Sequence, residues 1–244
     1  MSKATKKPAV GAMVLCHHRP WLLSLIVEQY WKTWPGDCVV HFMADRPNAA
    51  VIAELAKLEA HPAVKVFTAG FPAVGGVENF MALRQCQLQF MQQENTRFIC
   101  IHDDDHVLEN PKEAADKTRH RHYDLIYAKK TFFWDDLEHV NCDLPVHNSV
   151  FFFRNLEGDR FPMDRMIHAP WRIHDKSDKK VTQMKSTLLD IGYLYPEQRE
   201  EVFRRYARAG KLDAATLPLT SSTPTLAPYD KKGPWLDKLR KILP

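Results

Sequence analysis

Apolar residues along the first hundred positions come in short unbroken runs, and the runs alternate with stretches of helical spacing. Ala9 to Cys16 is such a run and predicts a buried strand. Pro20 suits the first turn of a helix, where its missing N–H costs nothing. Trp21 to Trp34 then carries Leu22, Leu23, Leu25, Ile26, Tyr30 and Trp34 at mostly helical intervals, and Pro35-Gly36-Asp37 breaks the pattern. Cys38 to Ala44 predicts a second strand. A helix follows from about Asn48 to Glu59, with Val51, Leu55 and Leu58 on one face, and Val64 to Phe67 predicts a third strand. Beyond the Gly/Pro-punctuated loop at Gly70 to Gly76, the spacing from Glu78 to Gln93 is again helical, with Phe80, Leu83, Leu88 and Met91 turned inward. Phe98 to Ile101 is the fourth strand. Strand and helix in strict alternation predict an α/β fold with a mostly parallel central sheet and helices on both faces.

After Asp105 the regularity fades. Pro111 to His122 predicts a short polar helix, and Tyr123 to Trp134 and Ser149 to Phe153 predict two more strands. Arg154 to Lys180 reads as a loop, while Thr182 to Ile191 and Pro196 to Ala209 read as helices. Leu217 to Pro234 holds four prolines among clustered Ser and Thr, the composition of an extended linker. Trp235 to Leu243 is a short basic amphipathic helix. These shifts divide the chain into a basic, disordered N-terminus (1–8), a main domain (9–210) and a C-terminal helical and extended tail (211–244). No repeat of solenoid period is present.

Composition narrows the class. At 244 residues and 45% hydrophobic, the chain can bury a sizeable core. A formal charge of +4 is mildly basic and admits anionic partners such as nucleotides, nucleic acid or acidic lipid. Five scattered cysteines with no CxxC spacing read as buried reduced thiols. The apolar run after the basic N-terminus is too short for a signal peptide, and no segment approaches 18 uninterrupted apolar residues. The expected setting is soluble and cytoplasmic.

The chemistry starts where the fourth strand stops, at Asp103-Asp104-Asp105. Adjacent carboxylates repel one another unless a cation, solvent or hydrogen-bond donors satisfy them. The C-terminal edge of a strand in an open α/β sheet is the crevice where ligands bind. Oxygen-rich sites suit Mg²⁺ or Mn²⁺, which bridge carboxylates to a substrate's phosphates. His102 and His106 flank the triplet and read as pocket-lining rather than ligands. The twelve histidines form no HExxH or Cys/His zinc pattern.

Taken in order, residues 9 to 180 resemble a nucleotide-diphospho-sugar transferase of the GT-A type (Rossmann-like), similar to family-2 glycosyltransferases. His17-His18-Arg19-Pro20-Trp21-Leu22-Leu23 looks like the family's opening Asn-Arg-Pro…Leu-Leu turn. Asp45 ends the second strand where the family places the acid that reads the nucleobase. Glu78-Asn79…Leu83-Arg84-Gln85 looks like the helix with the family's Ala-Arg-Asn arginine, and Asp103-Asp104-Asp105 matches its Asp-X-Asp metal motif. The resemblance implies that His17 and Arg19 lie beside the nucleotide and that Asp45 and Arg84 hold the base. Asp103 would contact ribose or metal, Asp105 would bind the metal, and Asp104 would support them or face the sugar. It also implies Mn²⁺ or Mg²⁺ as cofactor and a UDP- or GDP-sugar as donor. His17 stands where the family has Asn, Gln85 replaces the motif's Asn, and no Glu-Asp pair follows downstream.

The acceptor half is drawn from the second half of the chain. His174 is the candidate third metal ligand, Asp175 and Asp178 are candidate bases, and Asp164 and His168 lie in the same segment. Lys176, Lys179 and Lys180 are candidates to close over the diphosphate. Asp135 and Asp136, after the aromatic run Phe132-Phe133-Trp134, are a second acidic pair for acceptor activation. The leading function is metal-dependent transfer of a sugar to an acceptor hydroxyl on a glycan, lipid-linked, protein or nucleic-acid acceptor. Three other readings stay open: a DNA-modifying glycosyltransferase acting on a hydroxymethylated base, motivated by the basic run Lys117 to His122; a non-catalytic nucleotide-sugar-binding module; and a metal-dependent nuclease or phosphatase.

Overall fold

A computed structural model describes residues 8–16, 19–45, 47–70, 80–120, 122–144, 148–159, 161, 179–208 and 224–243. Its first half follows the expected alternation: β1 (Val10–Cys16), α1 (Pro20–Thr33), β2 (Cys38–Asp45), α2 (Ala49–Leu58), β3 (Val64–Ala69), α3 (Phe80–Gln93) and β4 (Phe98–Asp103). Local chemistry sets the helix starts. The Asn48 side chain accepts the N–H of Val51 at 2.9 Å and so caps α2. Pro20 opens α1. The second half continues with β5 (His106–Leu108), α4 (Pro111–Arg119), β6 (Leu125–Phe132), β7 (His139–Asn141), β8 (Asn148–Arg154), β9 (Val181–Asp190), α5 (Pro196–Arg208), β10 (Leu226–Pro228) and α6 (Pro234–Ile242).

Eight strands form one mixed, mostly parallel sheet in the order β3-β2-β1-β4-β8-β6-β9-β5. β3, β2, β1 and β4 run parallel, so the chain leaves all four at the same edge. β8 enters antiparallel against β4, and β6 and β9 follow as a parallel pair. β5 pairs antiparallel with the end of β9, His106 opposite Asp190. That last pairing brings the residues just after β4 against the far side of the same sheet.

All seven residues of β1 are buried, as a strand covered on both faces requires. α3 packs so closely on it that a β-carbon at Gly11 would lie 2.1 Å from the Met91 sulfur. The five cysteines are free thiols, with Cys16, Cys38 and Cys100 buried. No helix among the described residues is long and apolar enough to cross a membrane.

One element differs from expectation in kind. The segment expected as a helix from Thr182 to Ile191 is the ten-residue strand β9. Met184, Leu188 and Ile191 stand at helical intervals, but Met184, Ser186, Leu188 and Asp190 are all buried while Val181, Gln183 and Lys185 are exposed. Alternation of period two wins because β6 and β5 supply hydrogen-bonding edges on both sides. The short strands β5, β7 and β10 were not foreseen, since three residues carry too little periodicity.

The described part of the tail lies on the domain. β10 pairs with β7, and α6 places Leu236 and Leu239 in the main core with its Lys238 paired to Glu28 of α1. The expected linker therefore includes a strand.

Candidate functional site: an acidic cluster at the end of β4

The parallel half of the sheet presents its carboxyl edge at Cys16, Asp45, Ala69 and Asp103, and four carboxylates converge beside the last of these. Asp103, Asp104 and Asp105 come from the end of β4 and the turn into β5. The fourth, Asp190, comes from the end of β9, brought in by its pairing opposite His106. The helical reading of its segment concealed Asp190. Alternation of Met184, Ser186 and Leu188 up to Asp190 was the signal available in the sequence.

The four acids are not equivalent. Asp104 and Asp190 are buried, whereas the Asp103 side chain is 44% exposed and that of Asp105 is 23% exposed. The two alternate acids of the Asp-X-Asp pattern thus face the open side and the middle one turns inward. Arg19 holds that inner acid, with a guanidinium nitrogen 3.2 Å from Asp104 and 3.7 Å from Asp105. Arg84 pairs with Asp103 and donates to the carbonyls of Met13 and His102, each at 2.8 Å. It thereby ties the middle of β1 to the end of β4 beneath the cluster. Gln87, one turn on, donates to the carbonyls of Val14 and His41 and continues the same brace.

A third cation, Lys130 from β6, lies 3.2 Å from Asp190 and 2.8 Å from His106 Nε2. No local pattern in the sequence marks Lys130, which lies among mixed apolar and polar residues of β6. The His106 ring is almost buried, with Nε2 3.3 Å from both Asp105 and Asp190, and Nδ1 faces the Asp103 N–H at 3.3 Å. It stands inside the cluster rather than on the pocket wall.

These neighbours set the charge of each acid. Partial desolvation works to raise the Asp103 carboxyl, but Arg84, His106 and Lys130 hold it well below the usual range. Burial likewise opposes ionisation of Asp190, and Lys130 with His106 overcomes it. Asp105 goes the other way: burial and then the Asp190 charge raise its carboxyl, and His106 and Arg19 only partly offset them. Its buried Oδ1 accepts no hydrogen bond among the described residues and has His106 Nε2 3.3 Å away as its nearest ionic contact. Asp105 is the acid whose charge the protein leaves least compensated.

That deficit tests the fit of a cation. One ligand atom each from Asp103, Asp105 and His106 lies within 4.8 Å of the others. Two carboxylates on the exposed side suit a hard divalent ion. Since Lys130 engages His106 Nε2, the two aspartates are the more available ligands. A β-carbon at Gly192 would come within 2.6 Å of Asp105 Oδ2, so the absence of a side chain there leaves room for the carboxylate.

Other expected site residues fall elsewhere. Lys180 precedes β9 at its opposite end, about 30 Å from Asp190 by strand rise, and its N–H and carbonyl bond to Asp124. Asp136 accepts from the N–H groups of Glu138 and His139 and from the His139 ring, which shapes the turn before β7. Asp135 pairs with Arg199, whose guanidinium lies 4.4 Å from the Trp134 ring centre. Asp45 ends β2 at the same edge as the cluster. His17, Asp164, His168, His174, Asp175, Lys176 and Asp178 lie outside the described residues.

With this geometry the chain resembles solved structures of one class. It aligns with TarS of S. aureus at a TM-score of 0.54 and 13% identity, over 86% of this chain and 41% of that one. It aligns with TarS 1–349 in complex with UDP at 0.52 and 13%, over 86% and 69% of the two chains. It aligns with the mannosyltransferase PcManGT from Pyrobaculum calidifontis, in complex with GDP-Man and Mn²⁺, at 0.50 and 12%, over 88% and 68%. The chain thus spans less than half the length of that first TarS chain. No protein-family model matches the sequence, and no curated protein matches it. The fold the chain shares with these structures is of the GT-A type.

Proposed function

We propose that this protein is a glycosyltransferase that moves a sugar from a nucleoside-diphosphate sugar to an acceptor hydroxyl, with a divalent ion held by Asp103 and Asp105. The observation that carries the reading is the under-compensated Asp105. It lies next to Asp103 on the exposed side of an acidic cluster, at the edge of a GT-A sheet where ligands bind. Similar folds with GDP-Man and Mn²⁺ or with UDP support it.

What an Mn²⁺ or Mg²⁺ ion supplies at such a place is neutralisation of the diphosphate leaving group. The chain's own residues do the rest. Arg84 holds Asp103 ionised and fixes the end of β4 that carries the site. Arg19 turns Asp104 inward and keeps a positive charge beside Asp105. Lys130 and His106 keep Asp190 ionised under the cluster. Asp45, at the end of β2, and His17 belong to the nucleobase side of this reading. Attack by the acceptor hydroxyl requires a base if the anomeric centre inverts. In this reading Asp175 or Asp178 is the base, His174 is a third metal ligand and Lys176 contacts the diphosphate.

The test combines binding with turnover. Mn²⁺ with a UDP- or GDP-sugar is expected to raise the melting temperature and support transfer or hydrolysis, and EDTA is expected to abolish both. Asp105→Asn is expected to fold, and to melt higher than wild type in the absence of metal at neutral pH. A carboxyl whose pKa is raised by folding costs stability once pH rises through it, and the amide removes that cost. The same variant should lose the Mn²⁺-dependent shift. Retention of that shift and of turnover would refute the metal assignment.

A further inference from the structure

A second concave feature has an opposite charge and no part in the acidic cluster. It is a groove of about 1160 Å³ between α4, the first half of β9, the end of α1 and the segment leading into α6. Its walls carry seven lysines and arginines against three carboxylates, an excess equal to the formal charge of the whole chain.

The acids in it are occupied. Glu113 accepts the N–H groups of Lys185 and Ser186 and the Ser186 hydroxyl, at 2.7, 2.9 and 2.7 Å. Glu109 accepts from the N–H of Thr187 at 2.6 Å and pairs with Lys231 at 2.8 Å. Both glutamates are therefore consumed in holding β9 and the tail, and the third acid, Asp116, lies 3.6 Å from Arg119. Lys112, Lys185 and Lys232 line the same groove, are exposed, and make no ion pair among the described residues. Two half-buried aromatic rings, Tyr123 and Trp235, stand among the cations, and the Lys117 ammonium lies 6.0 Å from the Tyr123 ring centre.

Unpaired cations spaced along a groove complement a chain of phosphates, and the part of the Tyr123 and Trp235 rings left uncovered beside them suits contact with unstacked bases. We infer that this groove binds single-stranded nucleic acid. Glu109 lies three residues beyond His106, and Lys185 five residues before Asp190. By strand rise, the groove begins on the order of 10 to 16 Å from the acidic cluster. If a bound strand runs on from the groove to the cluster, its hydroxyl is the acceptor there. That the strand is the sugar acceptor rests on the glycosyltransferase reading; that it binds does not.

The experiment measures fluorescence anisotropy of a labelled 20-nucleotide single-stranded DNA against salt concentration, with duplex DNA and polyphosphate as competitors. The wild-type protein is expected to bind and to weaken steeply with salt. The triple variant Lys112→Ala/Lys185→Ala/Lys232→Ala is expected to bind at least tenfold more weakly at low salt. Its log–log salt slope should be shallower by about 2, at roughly 0.7 per lost phosphate contact. Tyr123→Leu, which keeps an apolar body but no ring, is expected to weaken DNA binding and leave polyphosphate competition unchanged.

No binding at low salt, or equal binding by the triple variant, overturns the inference. So does polyphosphate or duplex DNA competing as well as the single strand. The Mn²⁺ and nucleotide-sugar thermal shift, measured in the same variants, separates the two readings. DNA binding without any such shift keeps the groove and removes the transferase; a shift without DNA binding does the reverse.

Discussion

The backbone leaving β9 packs directly on Asp105: a β-carbon at Gly192 would lie 2.6 Å from Asp105 Oδ2, and the Ile191 N–H donates to the Asp105 carbonyl at 2.9 Å. One strand end thus fixes both the main chain and the side chain of the proposed metal ligand. We expect Gly192→Ala to push that carboxylate away, at a stability cost of about 1–3 kcal/mol. The Mn²⁺-dependent thermal shift should fall at least as much as that of Asp103→Asn. An alanine variant with a wild-type metal response would show that Asp105 does not need its present position.

Lys130 and Asp190 form a second coupled pair, buried under the cluster. Lys130→Met removes the ammonium paired with the Asp190 charge and leaves His106, the Gly192 N–H and the more distant Arg19 near it. Loss of about 3 kcal/mol is expected, because an uncompensated buried charge costs more than the pair contributes. The double variant Lys130→Met/Asp190→Leu should recover most of that loss in urea unfolding. Additive losses in the double variant would mean that the two side chains are not coupled.

His41, on β2, is fully buried, and burial lowers its imidazole to about 4 in spite of Glu94 at 3.2 Å. The unfolded chain accepts a proton near pH 6.5 that the folded chain refuses until about pH 4. Stability should therefore fall as pH drops through that window and return as pH rises above it. The slope is about 1.4 kcal/mol per pH unit for the one proton. His102, lowered by burial to about 3, acts in the same direction. Urea unfolding of His41→Gln between pH 7 and 4.5 should show a slope shallower by about one proton. An unchanged slope would assign the acid sensitivity to other groups.

The tail contributes through α6. Leu239 is fully buried, and Leu239→Ala is expected to cost about 2–5 kcal/mol. Lys238→Ala, which breaks a half-exposed pair with Glu28, should cost under about 1 kcal/mol. If the two cost the same in urea unfolding, α6 is held by charge and not by its apolar face.

The sequence by itself determined the parallel edge of the sheet where the acids lie. An apolar run such as Ala9 to Cys16 or Phe98 to Ile101 has one low-energy use in water, burial as a strand, and it needs no distant residue to be recognised. Three acids directly after such a run, and the alternation of strands with helices, followed from neighbours in the chain. Arg19 and Arg84 were legible as polar residues beside apolar stretches, though not the partners that now hold them. Tertiary structure decided the rest. Thr182 to Ile191 supports both periodicities, and only the open edges of β6 and β5 made it a strand. That choice brought Asp190 opposite His106 and Gly192 against Asp105. Lys130 has no local mark at all; its role exists because β6 lies beside β9 in the sheet. Strand identity is written in adjacent residues, but the charge balance of the site depends on which edges meet, and hydrogen bonds between segments far apart in sequence make that choice.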